Sequence, residues 1–250
     1  MNLNKMISAV KKKARVYFRP FVFKAKQFYK RYKIGTEGPK KEFLLNKNIE
    51  WYGTDYGGFF LDKTLVNKKS IIFSFGIGTD ISFDQSIAAM GVKNIYLFDP
   101  TPKAIAFIKE FGLPSHYKFF GYGLSSRNET TEFFLPTVEG YISGSLIHHS
   151  QLGKGERIFV ELKKLSTICK ELKISSPDIL KIDIEGSEFE VIHDIFGDEI
   201  FPKQICIEFH SRFFEDGKTK LQDSLNLFAK HNYIMGGKST EEEYLFIRGY

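Results

Sequence analysis

The chain has 250 residues, 42% hydrophobic and 16% aromatic, enough for one large domain with a sizeable core or a domain with an appendage. Its two cysteines, Cys169 and Cys206, fall in apolar patterns with no CxxC or Cys/His ligand spacing, which argues against a structural zinc and for a reducing compartment. The net charge of +6 is unevenly spread: residues 1–41 carry 13 Lys/Arg against Glu37 alone, and the rest carries 23 Lys/Arg against 29 Asp/Glu, so a basic arm precedes a mildly acidic globule.

No run of 18 apolar residues occurs, so no spanning helix is expected. Lys11-Lys-Lys13 interrupts what would be the apolar core of a signal peptide, and a cytoplasmic protein is expected. Residues 1–33 interleave bases with aromatics, among them Tyr17, Phe18, Phe21, Phe23, Phe28 and Tyr29, and Pro20 divides the run. The pattern suits two short basic helices lying on an anionic membrane surface, which would make the protein peripheral on the inner face. A solvated arm packed on the globule is the plainer reading, and no nucleic-acid partner is expected. Residues 34–41 read as a linker. The division is therefore a basic arm with linker over 1–45 and one domain over 46–250.

Trp51-Tyr-Gly-Thr-Asp-Tyr-Gly-Gly58 is glycine-rich and aromatic; it is either a loop folding over a ligand or a plain hairpin turn. From residue 71 strands and helices alternate. Ile71–Phe75 is predicted as a buried parallel strand, followed by a turn with Gly76 and Gly78 and a helix over 81–90, stopped by Gly91. A strand over Asn94–Asp99 leads through Pro100-Thr-Pro102 to a helix over 103–111. A strand over Tyr117–Gly121 follows, then strands Thr131–Leu135 and Arg157–Leu162 flanking a polar loop that holds His148 and His149. Helix 165–172 precedes strand Asp178–Asp183. Helix 187–196 sets Phe189, Ile192 and Phe196 on one stripe. Strand Gln204–Phe209 ends at His210, helix 218–231 follows, and Tyr233–Gly236 and Tyr244–Arg248 form an antiparallel hairpin. Repeated βα units closed by a hairpin predict an α/β, doubly wound, mostly parallel sheet.

In such a sheet the turn after Phe75 lies where ligands bind. Asp99 closes the second strand, where an acid can take the ribose hydroxyls of a nucleoside. A dinucleotide fingerprint would place glycine at 81, and Ile81 stands there. Asp80 and Asp84 at the helix mouth suit the helix dipole but repel an incoming pyrophosphate. S-adenosylmethionine brings an ammonium and a sulfonium and no phosphate, so it fits better. On the plainer reading both acids only cap the helix.

Ser74-Phe-Gly-Ile-Gly-Thr-Asp80, Phe98-Asp-Pro100 and above all Leu180-Lys-Ile-Asp-Ile-Glu-Gly-Ser-Glu188 resemble the FkbM family of S-adenosylmethionine-dependent methyltransferases, over roughly residues 50–250. The resemblance implies a Rossmann-like class I methyltransferase fold of seven strands with an antiparallel pair at its end. It also implies methylation of hydroxyl oxygens on sugars, glycans and secondary metabolites. Many class I enzymes carry an acid and a third glycine where Ser74 and Asp80 stand, so Asp80 is the expected contact of the methionine ammonium, directly or through water. The expected cofactor contacts are Phe75, Gly76, Gly78, Asp80, Asp99, Pro100, Thr101, Gly123, Leu124 and Asp183.

Methyl transfer needs an aligned acceptor oxygen and often a base for its proton. Asp183, Glu208 and His210, at the ends of adjacent strands, are the catalytic candidates, with Glu185 and His148 as substrate contacts. Asp183 and Glu208 also have the placement to hold a Mg²⁺ that acidifies the hydroxyl. Capping by Glu185 and Glu188, and a loop contact by His210, are the plainer readings. The reading is thus a cytoplasmic O-methyltransferase of a sugar or surface glycan, or of its precursor. Alternatives are a nicotinamide-dependent sugar oxidoreductase or epimerase, a methyltransferase of a secondary metabolite, a nucleic-acid methyltransferase, whose amino-methylating members need an Asn-Pro-Pro-Tyr-type clamp where Asp183-Ile-Glu-Gly186 stands, and a cofactor-binding scaffold without catalysis. The oxidoreductase would need Tyr-x-x-x-Lys after the turn, and the match at Tyr29/Lys33 lies upstream in the arm.

Overall fold

Ile71-Ile-Phe-Ser-Phe75 is apolar along nearly its whole length because both faces of the strand it forms are covered. The computed structural model describes residues 41–134, 157–240 and 242–249. The basic arm and the loop bearing His148 and His149 lie outside the described residues.

The chain enters with β1 (Lys41–Leu44) and a hairpin of β2 (Ile49–Tyr52) and β3 (Phe59–Asp62). Then β4 (Ile71–Phe75), α1 (Ser82–Ala89), β5 (Asn94–Phe98), α2 (Pro102–Phe111) and β6 (Tyr117–Phe120) alternate. Next come β7 (Gly123–Leu124), β8 (Glu129–Phe134), β9 (Arg157–Lys163), α3 (Leu165–Leu172) and β10 (Ile179–Ile182). The last third holds α4 (Glu188–Gly197), β11 (Gln204–Glu208), α5 (Gly217–Lys230), β12 (Tyr233–Ser239) and β13 (Glu243–Arg248). Local chemistry sets the ends of α2: Pro102 opens it, the Thr101 hydroxyl caps Ala104 N–H at 3.3 Å, and Gly112 closes it at φ 68°.

The main sheet has the order β1-β12-β13-β11-β10-β4-β5-β6. β6, β5, β4, β10 and β11 run parallel, and β13 is antiparallel to both β11 and β12. Without β1, this is the seven-stranded class I arrangement with its antiparallel C-terminal strand. The eighth strand, β1, pairs with β12 and so lies ahead of the expected domain boundary at residue 46. β8 and β9 stay out of the main sheet and form a three-stranded sheet with β7.

Strand order reverses between β4 and β10: the chain runs outward from β4 to β5 and β6, then returns to start β10 and β11 on the other side. A crevice opens at the carboxyl ends of strands at such a point. Alternation along β4 divides the core. Phe73 and Phe75 pack with Phe98, Leu180, Ile182 and residues of α3, α4 and α5. Ile72 packs with Ile95, Leu97, Ile179, the β3 residues Phe60 and Leu61, and residues of α1 and α2. Each fully buried Phe contributes roughly 1.5–3 kcal/mol. Rings also stack across strands, with Phe75 to Phe98 at 4.4 Å and Phe98 to Phe120 at 5.2 Å between centroids. These ladders account for part of the phenylalanine-rich composition.

The β2/β3 hairpin is fixed on the sheet by a buried amide. Gln204 Oε1 accepts Asp62 N–H at 2.8 Å, and Gln204 Nε2 donates to Asp62 O at 3.2 Å. Cys206 donates to Phe60 O at 3.4 Å, and burial pushes its thiol far above the usual range. No helix among the described residues is long and apolar enough to cross a membrane.

Candidate active site

β4 ends in a turn that only glycine fits at its first position. Gly76 has φ 71°, and a Cβ there would lie 1.6 Å from the carbonyl oxygen of Asp183. The missing side chain lets the ends of β4 and β10 come together. Gly76 N–H donates to Phe98 O at 3.0 Å, tying the turn to β5 as well. Gly78, at φ 49°, donates its N–H to Asp99 Oδ2 at 2.8 Å. Asp99 Oδ1 accepts the Thr101 N–H at 2.8 Å and the Thr101 hydroxyl at 2.6 Å. Burial pushes the Asp99 carboxyl up, against these bonds. Asp99 thus braces the turn, and its Oδ2, with one bond made, keeps a second acceptor position.

Asp80 sits just before α1. Its Oδ1 accepts Ser82 N–H at 2.7 Å and its Oδ2 accepts the Thr54 hydroxyl at 2.7 Å. Thr54 belongs to the β2/β3 loop, and its N–H donates to Ser82 Oγ at 2.8 Å. Gly57 N–H donates to Thr54 Oγ1 at 3.1 Å, and a Cβ on Gly57 would lie 2.8 Å from Asp80 Cγ. The 53–58 stretch is therefore both a hairpin loop and a flap pinned to the helix mouth. One turn into α1, Asp84 is only 1% exposed. The Ser74 hydroxyl donates to its Oδ2 at 3.4 Å, and its Oδ1 has no hydrogen-bond partner among the described residues. Burial pushes its carboxyl up to about 7, and the nearby Lys181 ammonium pulls the other way.

The turn, the flap and the end of β10 enclose a cleft of about 780 Å³ including its open mouth. Of the expected contacts, Gly76, Gly78, Asp80, Asp99, Pro100, Thr101, Gly123, Leu124, Asp183 and Glu185 line it. Phe75 does not: it belongs to the opposite core face, and the strand offers only its carbonyl oxygen, which accepts Asp183 N–H at 3.3 Å. Lys181 was missed. A charged residue inside an apolar strand gives no hint of facing a cleft, yet register sets Lys181 beside Ser74 and Cys206. Its ammonium donates to Gly76 O at 2.8 Å and lies 3.6 Å from Asp183 Oδ2. Tyr56 and Gly57 enter from the flap, while Phe133 and Leu162 enter from the small sheet.

Glu208 and His210 stand behind this wall rather than in it. His210 is 1% exposed; its Nδ1 lies 2.9 Å from Glu188 Oε1, and its Nε2 lies 3.2 Å from Glu185 Oε2 and 3.3 Å from Glu208 Oε1. Burial alone would lower the imidazole, but the charge and hydrogen bond of Glu188, with Glu208 and Glu185, lift it to about 10. A ring that already carries its proton at neutral pH accepts no other, so His210 does not suit the role of general base. Burial raises the Glu188 carboxyl, and the His210 charge and Gly186 N–H outweigh it and hold it below the usual range. Glu188 therefore does more than begin α4: its oxygens collect Ile184 N–H at 3.1 Å and Gly186 N–H at 3.0 and 3.1 Å. Burial and then the Asp183 charge push Glu208 up to about 8.

The model of the methyltransferase FkbM domain matches residues 61–235. No curated protein matches the chain. Among solved structures, a methyltransferase FkbM from Methylobacillus flagellatus shares 13% identity with a TM-score of 0.47, over 76% of this chain and 46% of that one. The fibrillarin pre-rRNA processing protein of Methanococcus jannaschii shares 11% with a TM-score of 0.45, over 73% of this chain and 67% of that one. An rRNA methylase from Streptococcus thermophilus shares 11% with a TM-score of 0.39, over 73% of this chain and 87% of that one. The chain spans less than half the length of the Methylobacillus structure.

Proposed function

This chain belongs to the FkbM methyltransferase family, and from that footing we propose that it is an S-adenosylmethionine-dependent O-methyltransferase acting on a hydroxyl of a sugar or surface glycan, or of its precursor. The observation that carries the reading is the mouth of α1. A pyrophosphate would use the free N–H groups of that helix start. Here the Ser82 N–H is already taken by the Asp80 carboxylate. Asp80, Asp99, Asp183 and Glu185 line the cleft, and Lys181, the one cation lining it among the described residues, is turned to the Gly76 carbonyl. That charge suits a sulfonium and an ammonium, and it disfavours a nicotinamide dinucleotide.

When bound, S-adenosylmethionine supplies an electrophilic methyl group. The side chains of this protein would hold it from three sides. Asp99 and the Gly78 turn would offer acceptors to the ribose, and Asp80 would be the carboxylate for the ammonium. Pro100, Leu124, Phe133 and Leu162 give the apolar wall that a flat base needs. Asp183 is the carboxylate on the acceptor side, oriented by Lys181 and suited to draw the proton from a hydroxyl. The family membership supports methyl transfer; the sugar or glycan acceptor is our extension of it. The test is a thermal shift of the purified chain: S-adenosylhomocysteine should raise the melting temperature and NAD should not, and the reverse order sinks the reading.

A further inference from the structure

Three side chains from two stretches of the chain meet where the cleft wall reaches His210. They are Asp183 at the end of β10, Glu185 in the turn after it and His210 beyond β11. One carboxylate oxygen from each acid and one imidazole nitrogen all lie within 4.8 Å of one another. Ligands bonded about 2.1 Å from a common ion stand at most about 4.2 Å apart, so small side-chain rotations close the set.

A second observation concerns the aim of the histidine. Nδ1 of His210 faces Glu188 Oε1 at 2.9 Å, and Glu188 is fully buried and anchored by the backbone N–H groups of Ile184 and Gly186. A carboxylate behind one ring nitrogen is the arrangement that fixes a ligand histidine and points its other nitrogen forward. That other nitrogen, Nε2, points between Glu185 Oε2 and Glu208 Oε1. With Nδ1–H given to Glu188, an unprotonated Nε2 would turn a lone pair toward those two oxygens. A metal ion seated beside Glu185 Oε2 would take that lone pair. Asp183 and Glu185 also line the cleft, so an ion bound here would be within reach of the acceptor.

We propose that Asp183, Glu185 and His210 bind one divalent transition-metal ion, of the Mn²⁺, Fe²⁺ or Zn²⁺ class, on the acceptor side of the cleft. One imidazole nitrogen with two carboxylate oxygens suits these ions; Mg²⁺, expected from Asp183 and Glu208, favours oxygen ligands and retained waters. An acceptor hydroxyl on the ion would release its proton more easily. This role rests on the methyltransferase reading; the existence of the site does not.

The test uses Mn²⁺ alone, titrated into the full chain and followed by electron paramagnetic resonance. One ion per chain should bind saturably, and its spin-echo spectrum should show nitrogen coupling from His210. Glu185→Gln and Asp183→Asn should each weaken binding by about tenfold or more. His210→Gln should remove the nitrogen coupling, and should that variant fold poorly the two acid variants still decide. S-adenosylhomocysteine binding to wild type reports the methyltransferase reading, and circular dichroism of each variant reports its fold. Absence of saturable Mn²⁺ binding, binding without nitrogen coupling, or affinity unchanged in Glu185→Gln overturns the site even if the cofactor analogue still binds.

Discussion

Replacing Asp84 by asparagine should stabilise the protein at pH 8 and do much less at pH 5. The carboxyl is 1% exposed, its Oδ1 lacks a hydrogen-bond partner among the described residues, and burial raises it from an ordinary 3.8 to about 7. A folded value above the unfolded one means that the folded state holds the proton more tightly. The stabilisation from that proton is complete below the ordinary value and is lost as pH rises through about 7. At about 1.4 kcal/mol per unit, the upward shift costs about 4 kcal/mol of stability at pH 8 and about 2 kcal/mol at pH 5. The amide has no such charge to bury and keeps the shape of the side chain. Its advantage over wild type should therefore grow by about 2–3 kcal/mol between the two conditions. Urea denaturation of both proteins at pH 5, 6, 7 and 8 reads this directly. A difference that stays flat over that range refutes the argument, and it would mean that Lys181 balances the Asp84 charge fully.

Gly76 and Gly112 share a left-handed backbone, at φ 71° and 68°, but only Gly76 has a neighbour against its missing Cβ. Gly112→Ala should cost about 1–2 kcal/mol, and Gly76→Ala clearly more, with loss of S-adenosylhomocysteine binding; equal costs in denaturant would remove the Asp183 contact from the account. Thr54→Val breaks the hydroxyl bonds to Asp80 and Gly57, so it should cost about 1–2 kcal/mol and weaken the cofactor analogue several-fold by calorimetry. Unchanged affinity would show that the flap does not matter to the cleft. Asp99→Ala leaves the Gly78 and Thr101 donors unpaired and should lower stability by about 2 kcal/mol and abolish tight binding of the analogue, whereas retained binding would take Asp99 out of the ribose site.

The alternation of buried strands and amphipathic helices was legible because each element carries its own period. β4 at Ile71–Phe75 and α3 at Leu165–Leu172 fall where the pattern puts them. β1 escaped because it is four residues long, partly charged and at a sheet edge, paired with a strand nearly two hundred residues away. The cleft was legible where one loop makes it, as at Gly76, Gly78 and Asp80. It was not where register decides. Lys181 reaches the cleft because β10 aligns it with Ser74, and Phe75 misses it because β4 turns that ring to the other face. His210 was found by position, but its environment depends on Glu188, twenty-two residues earlier, whose carboxylate no local pattern directs at it.

The place of β13 bears on how the protein is made. This strand lies between β11 and β12, so the sheet cannot close until residue 248 has left the ribosome. From β1 onward that is roughly 200 residues of synthesis, or about 10–40 s at ordinary elongation rates. Until then the apolar edge of β11 has no neighbour on one side. A nascent chain released before Tyr244 would leave two bare strand edges in mid-sheet, which are ready templates for aggregation and targets for quality control.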